Sequence, residues 1–287
     1  MVEQAQVASD PLELATVLSD IAPHPILADH DADRLQRAFH RQGSLDSQLA
    51  CKIFDLHPTR SPDDRHWIDF FTEALASYFL HRRGDTIFIP DSEEDLLIRS
   101  IATAGPIIDP GHRRLALRLY LRATELSERY QRVVLDTVRL SLLHDEHRFL
   151  LKASRSPGVI DIVDLHLIRK LVYGAGGQYP CRISRVAAEF LLALDHQHSP
   201  LAHTEEWASF SCEAIMSHLF DGGSSTPRID EKQADWMIAN LDCRRPGTAA
   251  IHLLDHIQAE VPDIPKRLRD IAVHVRSLAR RHSSDSP

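Results

Sequence analysis

The stretch WIDFFTEALASYFL, residues 67–80, returns in altered form as WASFSCEAIMSHLF at residues 207–220. In the first copy Trp67, Phe70, Phe71, Ala74, Leu75, Tyr78 and Phe79 recur at three- and four-residue intervals. That is the period of a helix with one wide apolar face. The second copy keeps Trp207, Phe210, Ala214, Ile215 and Leu219 in the same register. Laying Trp67–Ile101 over Trp207–Leu241, a constant shift of 140, leaves nine of 35 positions identical, among them Glu73/Glu213, Asp95/Asp235 and Ile98/Ile238. Two of the three tryptophans fall into register, which points to a repeat and not to shared composition.

Working outward, the match continues upstream at a shift of 138, through Leu45/Ile183, Ala50/Ala188, Ile53/Leu191 and Leu56/Leu194. Downstream, Val134/Ile271 and Val138/Val275 extend it at a shift near 137. The spacing predicts helices over 47–57, 67–80, 96–101, 115–123 and 133–143, answered by 184–195, 205–220, 231–242, 247–260 and 265–281. Breaks fall at His57-Pro58, Gly105-Pro106, Ser156-Pro157-Gly158, Ser199-Pro200 and Pro246-Gly247, where turn chemistry ends a helix. The one β-like run, Thr86–Ile89, has Thr226–Ile229 as its counterpart and candidate partner. The expected fold is therefore all-α, two pseudo-symmetric multi-helix repeats with 11–13 helices. Its expected parts are an N-terminal segment (1–28), a first repeat (29–150), a second repeat (151–282) joined through Ser156–Gly158, and a disordered tail (283–287).

Composition narrows the class. Hydrophobic residues make up 43% of the 287, enough for real cores, and no apolar run reaches the roughly 18–20 residues that span a bilayer. Met1–Asp10 is polar and lacks the apolar centre of a signal peptide. Cys51, Cys181, Cys212 and Cys243 are too scattered for a zinc ribbon and fit reduced thiols in a cytoplasm. The formal charge of −8 argues against nucleic acid and against anionic lipid. Yet residues 111–139 and 263–281 each carry a net +4, leaving about −16 on the rest. Either these basic hairpins pair with the chain's own acids or they dock an acidic partner.

The candidate chemistry is thin. Asp29-His30-Asp31-Ala32-Asp33 opens like a calcium loop, but Arg34 stands where that loop needs glycine and His40 where it needs glutamate. Asp195-His196-Gln197-His198, followed by His203, Glu205 and Glu206, is the densest ligand-like cluster. His144-Asp145-Glu146-His147 matches no zincin pattern, and Tyr173-Gly174-Ala175-Gly176-Gly177 follows a helix where a phosphate loop would follow a strand. Glu73/Glu213 and Asp95/Asp235 are acids kept between copies, which cap or pair neighbouring helices more often than they form a site. On this reading there are no catalytic residues, no metal site and no cofactor.

The units Leu45-Asp46-x3-Ala50-x2-Ile53-Phe54-x-Leu56 with Trp67-x2-Phe70-x2-Glu73-Ala74, and Ile183-Ser184-x3-Ala188 with Trp207-x2-Phe210-x2-Glu213-Ala214, resemble an uncharacterised bacterial family of internally duplicated all-helical proteins. The segment from Gly158-Val159-Ile160 to Tyr173–Gly177 adds to that likeness, which implies no established activity. The chain is also distantly similar to tellurite-resistance TerB-like helical domains. Most of the acids that would follow their turn are missing, so no metal role carries over. The expected function is a non-enzymatic interaction or regulatory module of the bacterial cytoplasm, with another protein as partner and no membrane. The alternative is a metal- or ligand-responsive stress protein centred on His196, His198 and His203, and the third is an enzyme whose residues are dispersed.

Overall fold

Each helix start needs acceptors for backbone N–H groups that have no partner inside the helix. Asp46 accepts from the Leu49 N–H at 2.8 Å, and Asp64 from that of Trp67 at 3.1 Å. Asp230 and Gln233 cap one another reciprocally, so that two orphan donors are satisfied at once. These caps open helices of an all-α chain in the computed structural model, which describes residues 13–103, 109–143, 160, 162–174, 183–197, 205–220, 227–244 and 246–284. Thirteen α-helices and one two-stranded hairpin lie among the described residues, and no helix there is long and apolar enough to cross a membrane.

The chain divides into two compact units, Met1–Ala123 and Thr124–Pro287. The first holds α1 (Leu14–Ile21), α2 (Asp29–Gln42), α3 (Ser47–Leu56), α4 (Arg65–Phe79), α5 (Asp91–Thr103) and α6 (Pro110–Arg122). A single 3-10 turn, His57–Thr59, ends α3, because Pro58 has no N–H to continue the helical ladder. Helix α4 packs on α6, and Trp67, Phe71, Ala74 and Leu75 of the one and Leu115, Ala116 and Leu119 of the other are all buried. Between α4 and α5, β1 (His81–Arg83) pairs antiparallel with β2 (Thr86–Phe88). Gly84 turns that hairpin with a φ of 63°, free of the steric cost a side chain would bring. Thr86–Phe88 is thus a strand as the sequence suggests, but it pairs with the adjacent run 81–83, while Arg228 bridges to Asp263.

The second unit holds α7 (Glu128–Leu143), α8 (Ile162–Gly174), α9 (Arg185–Gln197), α10 (Glu205–Leu219), α11 (Glu231–Asn240), α12 (Thr248–Glu260) and α13 (Lys266–Ser284). Its central pair is α10 on α12, with α9 against both and α13 against α11 and α12. Helices α4 and α10 share their bounds at a shift of 140, α6 and α12 at a shift of 138. Trp67 and Trp207 are both 0% exposed, and each leans on the phenylalanine three residues on, Phe70 and Phe210. Phe70 in turn meets Phe39 of α2 edge-on, as Phe210 meets Tyr173 of α8.

The basic segments find acids inside their own units. Arg114 pairs with Asp69; Arg132 and Arg185 share Glu189; Arg267 pairs with Asp235 and Arg276 with Asp255. Residues 111–139 do not form an exposed hairpin within one unit, since α6 belongs to the first and α7 to the second. Helix α6 is largely buried, Arg113 included, because it is the core partner of α4.

Candidate functional site

The junction between the end of α3 and the start of α6 brings together three side chains that no short motif links. The 3-10 turn carries His57 inward, where its ring stacks on Phe71 with centroids 4.0 Å apart. Asp109 stands at the N-cap of α6, followed by Pro110, whose missing N–H costs nothing at that position. His112 lies one turn into α6, stacked on Phe54. One ring nitrogen of each histidine and one Asp109 oxygen lie within 4.8 Å of one another. Both histidines are buried, at 8% and 6% exposure, while the Asp109 side chain is one-third exposed.

Hydrogen bonding fixes the protons. An indole N–H only donates, so the 2.8 Å contact from Trp67 Nε1 makes His57 Nδ1 an acceptor. The His57 proton therefore sits on Nε2 and is donated to Asp109 Oδ1 at 2.6 Å. That oxygen also accepts the Gly111 N–H at 2.8 Å and the His112 N–H at 3.2 Å. The second oxygen, Oδ2, bonds His112 Nδ1. In the neutral ring this leaves His112 Nε2 with a lone pair. Burial alone raises the Asp109 carboxyl, but the bonds from His112 and His57 outweigh it and hold the group far below the usual carboxylate range.

A cleft of about 640 Å³ opens on this cluster, lined by His57, Asp109 and His112 together with Phe54, Arg60 and Ser100. Arg60 is tied back, its guanidinium donating to the Ile21 and His24 carbonyls and lying over the Trp67 ring. The cleft thus has an apolar wall, a fixed cation and a carboxylate bridging two imidazoles, the mixture usual for small-ligand sites.

The corresponding junction of the second unit is built differently. A shift of 138 sets Asp195 opposite His57, Gly247 opposite Asp109, Ala249 opposite Gly111 and Ala250 opposite His112. Asp195 accepts the Trp207 indole N–H at 3.1 Å, the role His57 plays for Trp67. Its two oxygens also accept the Ala249 and Ala250 N–H groups at 3.0 and 2.8 Å, capping α12 from a distance. A Cβ on Gly247 would overlap the Asp195 carboxylate, and a Cβ on Gly111 would overlap the His57 ring. Each unit therefore puts its glycine where its own acceptor needs room.

Other residues marked by the sequence lie elsewhere. His196 sits at the end of α9, paired with Asp242 at 2.9 Å, and His198 and His203 lie outside the described residues. So do His144–His147, Ala175–Gly177, Ser156–Gly158 and Cys181. Glu73, Glu213, Asp95 and Asp235 are exposed, and Asp235 holds Arg267. Burial pushes the Cys212 thiol up to about 11, with Glu213 adding to the rise, so it is no nucleophile near neutral pH. The cluster His57, Asp109 and His112 was not singled out by sequence reasoning. Asp109-Pro110-Gly111-His112 reads as a helix start, and His57-Pro58 as a helix end. The available signal was the overlay itself, since at a shift of 138 the two segments differ at all four positions of the junction.

No protein-family model, no curated protein and no solved structure matches this chain.

Proposed function

We propose that this protein is a non-enzymatic, ligand-responsive regulatory module, built from two divergent copies of one helical unit, with its ligand site in the cleft of the first. The shared helix bounds and the paired tryptophans support the common origin of the units. One observation carries the functional reading. At one and the same junction the first unit has a carboxylate bridging two imidazoles beside a cleft, while the second spends its carboxylate on capping a helix. A purely structural junction needs only the second solution, which uses fewer side chains and satisfies the same indole donor. The extra imidazole and the cleft in the first unit are what a ligand would use.

The interaction reading, which rests on the two basic segments, has weaker support. Arg114, Arg132, Arg267 and Arg276 pair with acids of the same unit, and α6 lies mostly inside the core. Exposed pairs of this kind contribute only ~0–1 kcal/mol each, yet they occupy the charge that a partner would have to recruit.

Native mass spectrometry of the protein taken from its own cells tests the proposal. The expected result is a small-molecule or ion adduct on the wild-type chain that disappears in His112→Ala. A bare chain mass, retained together with a bound protein partner, would overturn it in favour of the interaction reading.

A further inference from the structure

We infer that His57, Asp109 and His112 form a binding site for a divalent transition-metal ion with open positions facing the first-unit cleft. The inference rests on that cleft being the ligand site and names the ligand. Two imidazoles and a carboxylate suit the zinc, cobalt, nickel and copper group better than magnesium or calcium, which prefer oxygen alone. The three donor atoms already lie within 4.8 Å of one another, and two are on elements with fixed starts, the α6 N-cap and its first turn. Three protein ligands beside a cleft of about 640 Å³ leave room for water or a further ligand, the pattern of open metal sites and not of closed structural ones.

Trp67 sets the cost. A neutral histidine that gives Nε2 to a metal carries its proton on Nδ1, which would face the Trp67 N–H donor to donor. Metal capture must therefore break the 2.8 Å indole bond. Leaving one buried donor unsatisfied opposes binding. The ion therefore binds with weakened affinity, since part of its coordination energy goes into displacing that bond. The same competition supplies a reporter, because Trp67 changes its hydrogen bonding when metal arrives. Trp207, bonded to Asp195, does not.

The test is titration of the purified, chelator-stripped full chain with cobalt and, separately, with zinc. One cobalt per chain is expected, with visible absorption from coordinated nitrogen and oxygen. His112→Ala should lower the affinity by more than the roughly 10–100-fold that losing a supporting residue costs. Zinc should shift the tryptophan emission in the wild type, and the shift should be absent in Trp67→Phe. Binding that leaves the Trp67 emission unchanged would take His57 out of the ligand set and overturn the three-ligand site. Binding lost in His196→Ala with His198→Ala, but kept in His112→Ala, would move the metal to α9 and likewise overturn it. No saturable uptake would also overturn it, while an organic adduct dependent on His112 would still sustain the cleft as a ligand site. His112→Gln, closer in size, repeats the measurement should the alanine variant fold poorly.

Discussion

Where α3 meets α6, a histidine accepts the indole proton of Trp67; where α9 meets α12, an aspartate accepts that of Trp207. The tryptophan is the constant and its acceptor is the variable. In the first unit the acceptor hands the connection on to Asp109, which caps α6 and holds a second histidine. In the second the acceptor reaches the α12 N–H groups itself, and the cap position is glycine. Both arrangements solve the same problem, a buried indole donor beside an uncapped helix. The first leaves two histidines and a carboxylate facing a cleft. A fold element and a functional element can thus share one location and be told apart by what is left over once the structural need is met.

The largest expected difference follows from how much each acceptor carries. Asp195 is 1% exposed and accepts from the Trp207 indole and the Ala249 and Ala250 N–H groups, so Asp195→Ala, which strands several buried donors at about 1–3 kcal/mol each, should be the costliest change. His57→Ala should cost less, about 1–3 kcal/mol, because Asp109 still caps α6 and the cleft admits water to what is left. Urea denaturation of both variants measures the pair; equal losses would break the contrast between the units.

Next comes the packing of the glycines. Gly111→Ala places a methyl group in the His57 ring and should destabilise the chain by about 1–3 kcal/mol, as overpacking does. The same variant should lower metal affinity, because the ring must move. In the second unit Gly247→Asp should be poorly tolerated alone. It should be partly rescued when combined with Asp195→His and Ala249→Gly, which together restore the first unit's indole acceptor, cap and room for the ring. Additive losses across that triple variant would show that the junctions are not interchangeable.

A smaller effect concerns Glu189, in the second unit alone. Burial raises its carboxyl, but bonds from Trp236, Arg185 and Arg132 outweigh this and hold it below the usual range. A folded pKa below the unfolded one contributes stability above the unfolded value, lost as pH falls through the folded one. Wild type should therefore lose more stability between neutral pH and the acid carboxylate range than Glu189→Gln does, read from denaturation midpoints at each pH. The smallest effect belongs to Arg267→Glu at the exposed pair with Asp235, whose removal should change stability by ~0–1 kcal/mol.

The helical class was legible because its signal is local. Trp67 to Phe79 keeps a 3.6-residue period, and the observed α4 runs from Arg65 to Phe79. Helix ends were harder. Asp91–Glu94 carries no apolar period, so the sequence starts α5 at Leu96, whereas the acidic first turn is helical and favoured by the dipole. The short strand partner was missed because His81–Arg83 is exposed and charged, held by hairpin geometry and not by apolar alternation. The candidate site was least legible. His57 and Asp109 are 52 positions apart, and nothing in their spacing foretells that α4 and α6 pack closely enough to close the gap. Metal-ligand reading favours clustered residues, and so it pointed to the histidines after Asp195.

The complementary glycines also bear on how such a chain can change over generations. To turn the second junction into the first, four positions must alter: the indole's acceptor, the helix cap and the residues two and three beyond the cap. Introducing the cap first meets the Asp195 carboxylate, and introducing the histidine first meets the Ala249 side chain, the counterpart of Gly111. The order of change therefore matters, because the cap and the histidine each meet a clash unless another position has changed first. A junction of this kind is thus easier to empty by substitution than to refill.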